Sequence, residues 1–252
     1  MADETKAKES NDLGVSLPDY VTLAAKSVLG VVPFAGSLLN EIAGTIIPNQ
    51  RLDRIARFAA VLDEKLSRFE RSLIRTQLAD ENFTEIMEEA IGQAARSTTE
   101  ERRGYIASLI ASGLDPSAIG FIETRHLLRI LGEVNDAEVI WLRSYLVPFI
   151  RGDQEFRHKH AAVLDLPPAP FRAPAEIRDK HALKDGYQHH LAQLGLLEPN
   201  YDKDRNGMLI LESSTPKLTG YEIAWLGKML LRYVGLADLS GSGALETQPI
   251  PN

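Results

Sequence analysis

The chain has 252 residues, 44% hydrophobic and 25% charged, the balance of an ordinary water-soluble protein with room for one large or two small cores. A formal net charge of −7 opposes whole-molecule attraction to nucleic acid or anionic lipid and leaves only local patches for either role. The absence of cysteine excludes disulfides, thiolate catalysis and cysteine-ligated zinc or iron–sulfur sites, and fits a cytoplasmic setting.

Residues 1–16 are mostly charged and polar and read as a disordered tail with no secretory leader. A glycine-punctuated apolar run, VLGVVPFAGSLLNEIAGTIIP, then fills 28–48. Lys26 and Glu41 bound its uncharged part and Pro33 interrupts it, so two short helices over 20–31 and 34–47 are predicted rather than one membrane span. This run reads either as a core hairpin or as a latent membrane segment that would release Val31, Val32, Phe34, Leu38 and Leu39 onto lipid. A long helix follows from about Asn49 to Leu78. Its apolar residues Leu52, Ile55, Ala59, Leu62, Leu66, Phe69 and Leu73 alternate steps of three and four, a heptad seam suited to a partner helix. Arg51, Arg54 and Arg57 lie on its polar faces, either as a solvated surface or as a contact for anionic headgroups.

Asp80 to Asn82 breaks this pattern and caps a helix whose buried face is Phe83, Ile86, Met87, Ala90, Ile91 and Ala94. Thr98 and Glu101 have capping-box spacing and open a helix through Tyr105, Ile106, Leu109 and Ile110 that Gly113 closes. Asp115-Pro116-Ser117 turns the chain into a helix carrying Phe121, Ile122, Leu127, Leu128 and Leu131, ended by Gly132. Asn135 and Glu138 cap another, through Ile140, Trp141, Tyr145 and Phe149. Four prolines between 167 and 174 mark 151–175 as a connector. Beyond it come a helix over about 174–194 and two short strands, Leu196-Leu197 and Met208 to Leu211, with Asn206-Gly207 as their turn signal. A capping box at Thr219 and Glu222 is predicted to open a last helix with Ile223, Trp225, Leu226, Met229, Leu230, Tyr233 and Val234. The predicted architecture is mainly α: a helical bundle over 17–150 and a winged-helix-like module over 176–236, with a disordered tail over 237–252.

Two segments, YIASLIASGLDPS (Tyr105 to Ser117) and FIETRHLLRILGEVNDAEVIWLRSYL (Phe121 to Leu146), resemble the abortive-infection alpha family of bacterial helical proteins. The leucine-rich stretch from Leu191 to Glu198 and the Leu218-Thr219 pair resemble its later part. The proline-rich connector departs from the family as an insertion, and Gly220 follows Thr219 at once. The resemblance implies anti-phage defence in bacteria. It brings no catalytic residues and no cofactor.

The residues themselves show no nucleophile elbow and no phosphate-cradling loop with its lysine. Asp202-x-Asp204-x-Asn206-Gly207 matches the opening of a calcium loop, but Ser213 stands where the bidentate Glu belongs, and a solvated hairpin turn explains the same residues. His158, His160, His181, His189 and His190 lack the i, i+4 spacing of helical metal pairs. Lys180, Lys184 and Gln188 could meet nucleic acid, yet basic and acidic residues balance across 176–236, which makes a weak DNA binder. The expectation is therefore a non-enzymatic interaction protein without cofactor, cytoplasmic or peripheral to a membrane. It would act on a protein partner, on itself or on an anionic membrane surface. A DNA-associated regulator and a dimerising helical scaffold are the alternatives.

Overall fold

The structure, a computed structural model, describes residues 49–237 apart from 71–72, 75, 77–79, 116–117, 148–152 and 171; of Asn49, Gln50 and Leu52 it describes the backbone alone. The predicted hairpin at 28–48 and the tails 1–16 and 238–252 lie outside the described residues. The described chain is mainly helical with a small antiparallel sheet.

The bundle is built from α1 (Asn49–Leu66), α2 (Glu81–Arg96), α3 (Glu100–Gly113), α4 (Phe121–Glu133) and α5 (Asp136–Ser144). Its centre is α3, which packs against α1, α2 and α4. The sequence of α3 suits that position. Ile106, Ala107, Leu109, Ile110, Ala111 and Gly113 are all buried, so small and branched apolar residues surround it on several sides. α2 shows the expected buried face of Phe83, Ile86, Met87, Ala90, Ile91 and Ala94, with Asp80 as its cap.

Several expectations are corrected. The long helix stops at Leu66, where Ser67 Oγ donates to the Glu64 carbonyl and the chain turns. The phase of the seam changes across that turn: Ile74 is buried and Leu73 only half-buried. Before the break, Ile55, Phe58, Leu62 and Leu66 are buried against α3 and α2, so the seam is filled within the chain. The cap of α3 is Thr99, not Thr98. Its Oγ1 accepts from the Arg102 N–H and donates to Asp136 Oδ2, a second bond that fixes the choice within the Ser-Thr-Thr run. Gly113 and Gly132 do not stop their helices with left-handed backbone. Both sit within helices because a neighbour comes close: a Cβ on Gly113 would stand 2.7 Å from Thr124 Oγ1, and one on Gly132 2.7 Å from Gln93 Nε2. Ile122 points outward, 83% exposed. The Asn135–Glu138 capping box forms as expected, but α5 ends at Ser144, short of Tyr145.

The proline-rich stretch holds two short helices, α6 (Gln154–Lys159) and α7 (Ala161–Leu164), and α7 packs on α5. α8 (Ala175–Gln193) also lies on α5. It ends in a Schellman turn: the Leu196 N–H bonds the Leu191 carbonyl, Gly195 N–H bonds Ala192, and Gly195 has φ +72°. β1 (Leu197–Tyr201) pairs antiparallel with β4 (Leu218–Ile223), from Leu197 opposite Ile223 to Tyr201 opposite Leu218. Between them β2 (Leu211–Glu212) and β3 (Thr215–Pro216) form a hairpin whose turn, Ser213-Ser214, has left-handed backbone at both residues. The expected strand from Met208 is thus mostly arm, and Asn206-Gly207 turns a loop held by the isolated Lys203–Leu209 bridge. Thr219 and Glu222 lie on β4 and cap nothing. α9 (Trp225–Tyr233) starts at Ala224, whose N–H bonds the Leu196 carbonyl, and Trp225 is 72% exposed instead of joining the apolar face. α9 returns to α3 and ends in a second Schellman turn at Gly235. One hydrophobic cluster runs from Ile55 through α2–α5 to Leu191, Leu196, Leu231 and Val234.

Candidate functional site

Beyond Tyr201 and Leu218 the sheet opens into an arm. Asp202 is where the ladder forks: its N–H bonds the Lys217 carbonyl while its own carbonyl accepts from the Ile210 N–H. Lys217 Nζ lies 3.0 Å from Asp202 Oδ2 and ties the fork on its outer side, and this carboxylate holds the Lys217 ammonium above its usual pKa. Asp204 Oδ1 accepts from the Asn206 and Met208 N–H groups, an Asx-type turn that the short acidic side chain builds for itself. Every residue from 203 to 219 is exposed. Among them Met208, Leu209, Ile210 and Leu211 are four consecutive apolar residues, with Leu218 and Tyr201 beside them. An apolar run on a projecting arm is the feature of the described surface that most resembles a contact site.

The calcium-like residues are therefore committed to the arm's own geometry: Asp202 to Lys217, Asp204 to two backbone donors, and Asn206 to the turn. No group of three or more His, Asp or Glu side chains among the described residues is placed to hold a metal ion. His181 Nε2 meets the Pro167 carbonyl at 2.9 Å, and His190 Nδ1 meets the buried Glu138 carboxylate at 2.7 Å. The His160 ring lies 4.6 Å from the Phe156 ring at a tilt of 51°, and its burial pushes its pKa down.

The residues singled out for lipid and nucleic acid have the following places. Val31, Val32, Phe34, Leu38 and Leu39 lie outside the described residues. Arg51 is exposed, Arg54 Nη1 donates to the Ala95 carbonyl, and Arg57 pairs with Glu100 at 2.7 Å. That pair spans α1 and α3, and Arg57 with Arg103 holds the Glu100 carboxyl below the usual carboxylate range. No helix among the described residues is long and apolar enough to cross a membrane. On α8, Lys180 is exposed, but Lys184 lies over the Trp141 ring and Gln188 donates to the Tyr145 hydroxyl. The Lys180–Lys184–Gln188 stripe thus turns toward α5 along two of its three residues. By its residues Met208 to Leu211 reads as a strand. Four apolar residues without alternation, beside a turn signal and with polar flanks, were the available sign of an uncovered arm.

No family model, no curated protein and no solved structure matches this chain.

Proposed function

We propose that the protein acts without catalysis, as a docking protein whose β arm receives a protein partner, in bacterial anti-phage defence of the abortive-infection type. The observation that carries this reading is the exposed run Met208 to Leu211 at the fork of the sheet. Covering such a run releases water at roughly 25 cal/mol per Å² of apolar surface, and nothing within the described chain covers it. The defence setting rests on the resemblance of Tyr105 to Leu146 to the abortive-infection alpha family. The order α8, β1, arm, β4, α9 is compatible with a winged-helix-like module in which the arm is the wing.

Use of this module on DNA has less support, because Lys184 and Gln188 are engaged with α5. A membrane-directed form of the same reading would depend on 28–48 and on the basic face of α1, where Arg54 already bonds the Ala95 carbonyl and Arg57 pairs with Glu100 on the surface.

The test is a plaque assay in a bacterial host that expresses either the chain or its Leu209→Asp, Leu211→Asp variant. The chain is expected to lower plating of at least one phage, and the variant to lose that protection with an unchanged melting temperature. Equal protection by both would remove the arm from the mechanism. Absence of protection by the unmodified chain against a broad phage panel would remove the defence role.

A further inference from the structure

Four helix ends meet on the bundle surface and line an open cavity of about 290 Å³. The last turn of α2 supplies Gln93 and Arg96, the first turn of α3 supplies Arg102, the end of α4 supplies Gly132, and the start of α5 supplies Asp136. Two helix N-termini and two helix C-termini therefore border one polar cavity, so the helix dipoles offset each other and the side chains decide which ligand it favours.

The side chains around it are incompletely matched. Gln93 is 6% exposed; its Nε2 donates to Glu89 Oε1 and to the Leu128 carbonyl, while its Oε1 has no hydrogen-bond partner. The Arg102 side chain is 11% exposed. Its Nη2 serves the carbonyls of Leu131 and Val134 at the end of α4, while Nη1 has no hydrogen bond and stands 3.6 Å from Asp136 Oδ1. Burial lowers the Arg102 pKa, and the Asp136 carboxylate, paired with it at 3.6 Å, acts against that shift. A buried acceptor and a buried donor left unmatched beside one cavity are what a ligand would complete. Gly132 keeps this arrangement open, since a Cβ there would stand 2.7 Å from the Gln93 amide nitrogen.

The chemistry selects the ligand. Arg96, exposed at the mouth, and Arg102 call for an anion. Gln93 Oε1 and the Asp136 carboxylate call for hydroxyl or amine donors. No aromatic side chain lines the cavity, so a nucleobase would find no stacking surface. We propose that the cavity binds a small phosphorylated polyol, its phosphate between Arg96 and Arg102 and its hydroxyls donating to Gln93 and Asp136. The same chemistry occurs free, as a sugar phosphate, and on a membrane, as a phosphoglycerol headgroup. This inference stands apart from the arm and from the defence role.

The test is titration calorimetry of the full chain with ribose 5-phosphate, inorganic phosphate and ribose, beside flotation with phosphatidylglycerol vesicles. Ribose 5-phosphate is expected to bind saturably and more tightly than either of its halves. Arg96→Glu, at an exposed position, is expected to weaken it by about tenfold or more, the loss of one charge-assisted contact, with the melting temperature unchanged. Gly132→Ala should weaken it as well by displacing the Gln93 amide. Flotation that Arg96→Glu abolishes, without soluble binding, would assign the headgroup as the source. Ribose 5-phosphate binding no tighter than phosphate, binding indifferent to Arg96→Glu, or neither binding nor flotation at millimolar ligand would each overturn the proposal.

Discussion

Gly186 and Gly227 carry the same side chain to opposite effect. Gly186 sits in the middle of α8 with nothing within 4 Å of the place a Cβ would occupy. Gly227 sits in α9, where a Cβ would stand 2.3 Å from the Leu196 backbone carbonyl and 3.2 Å from Leu142. Gly186→Ala is expected to stabilise the protein by roughly 0.5–1 kcal/mol, the helix propensity gained. Gly227→Ala is expected to cost at least about 1–3 kcal/mol, because backbone and not a flexible tip must move. Urea midpoints of the two variants measure both, and a shift of the same sign for the pair would contradict this packing. The same distinction decides what can be read from letters alone. Gly195 and Gly235 follow the pattern leucine, three residues, Gly-Leu, and each closes a Schellman turn with bonds inside six residues of chain. Gly113 and Gly132 invite the same reading, yet their role depends on Thr124 and Gln93 across a helix interface, which no local pattern contains.

Elements follow the same division. The cap of α5 was legible because Asn135 and Glu138 satisfy each other. Thr219 and Glu222 have the same spacing, but pairing with β1, far back in the chain, holds them in a strand. The helix before Leu66 was legible as a period, while its end was not. No Gly or Pro stands between Leu66 and Leu78, and the break shows in the structure as the turn at Ser67 and the shift of burial from Leu73 to Ile74. The arm is an element whose removal the geometry permits. Tyr201 and Leu218 are direct partners across the sheet, so replacing 202–217 with a two-residue turn should close β1 onto β4 as an ordinary hairpin. Since 203–219 contribute nothing buried, the melting temperature is expected to fall by no more than about 3 °C, the effect of less than 1 kcal/mol in a protein of this size. A collapse in thermal stability would show that the arm supports the core.

At the scale of the molecule, the question is whether the bundle and the sheet module unfold together. The hydrophobic cluster is continuous from α1 to Val234, and Leu191 and Leu196 stand where the Schellman turn of α8 meets it. The buried Glu138 carboxylate, which caps α5, also receives His190 from α8. Calorimetry is expected to give one cooperative transition, and Leu191→Ala to lower it as a whole by about 2–5 kcal/mol. Two separable transitions would instead make the stretch 151–175 a true boundary. The mainly helical architecture was legible because periodicity reports it. The central position of α3 was not, since a run of Ala, Ile and Gly signals burial without saying which neighbours supply it.

The fork at Asp202 divides the chain into a part that must agree with itself and a part that need not. Substitutions in α3 are answerable to every helix around it, whereas those from 203 to 217 fall on exposed residues that the core does not contact. The loop could be rewritten repeatedly without re-solving the problem of folding. A different loop could then be transplanted onto this stem at Tyr201 and Leu218, where the two strands pair directly.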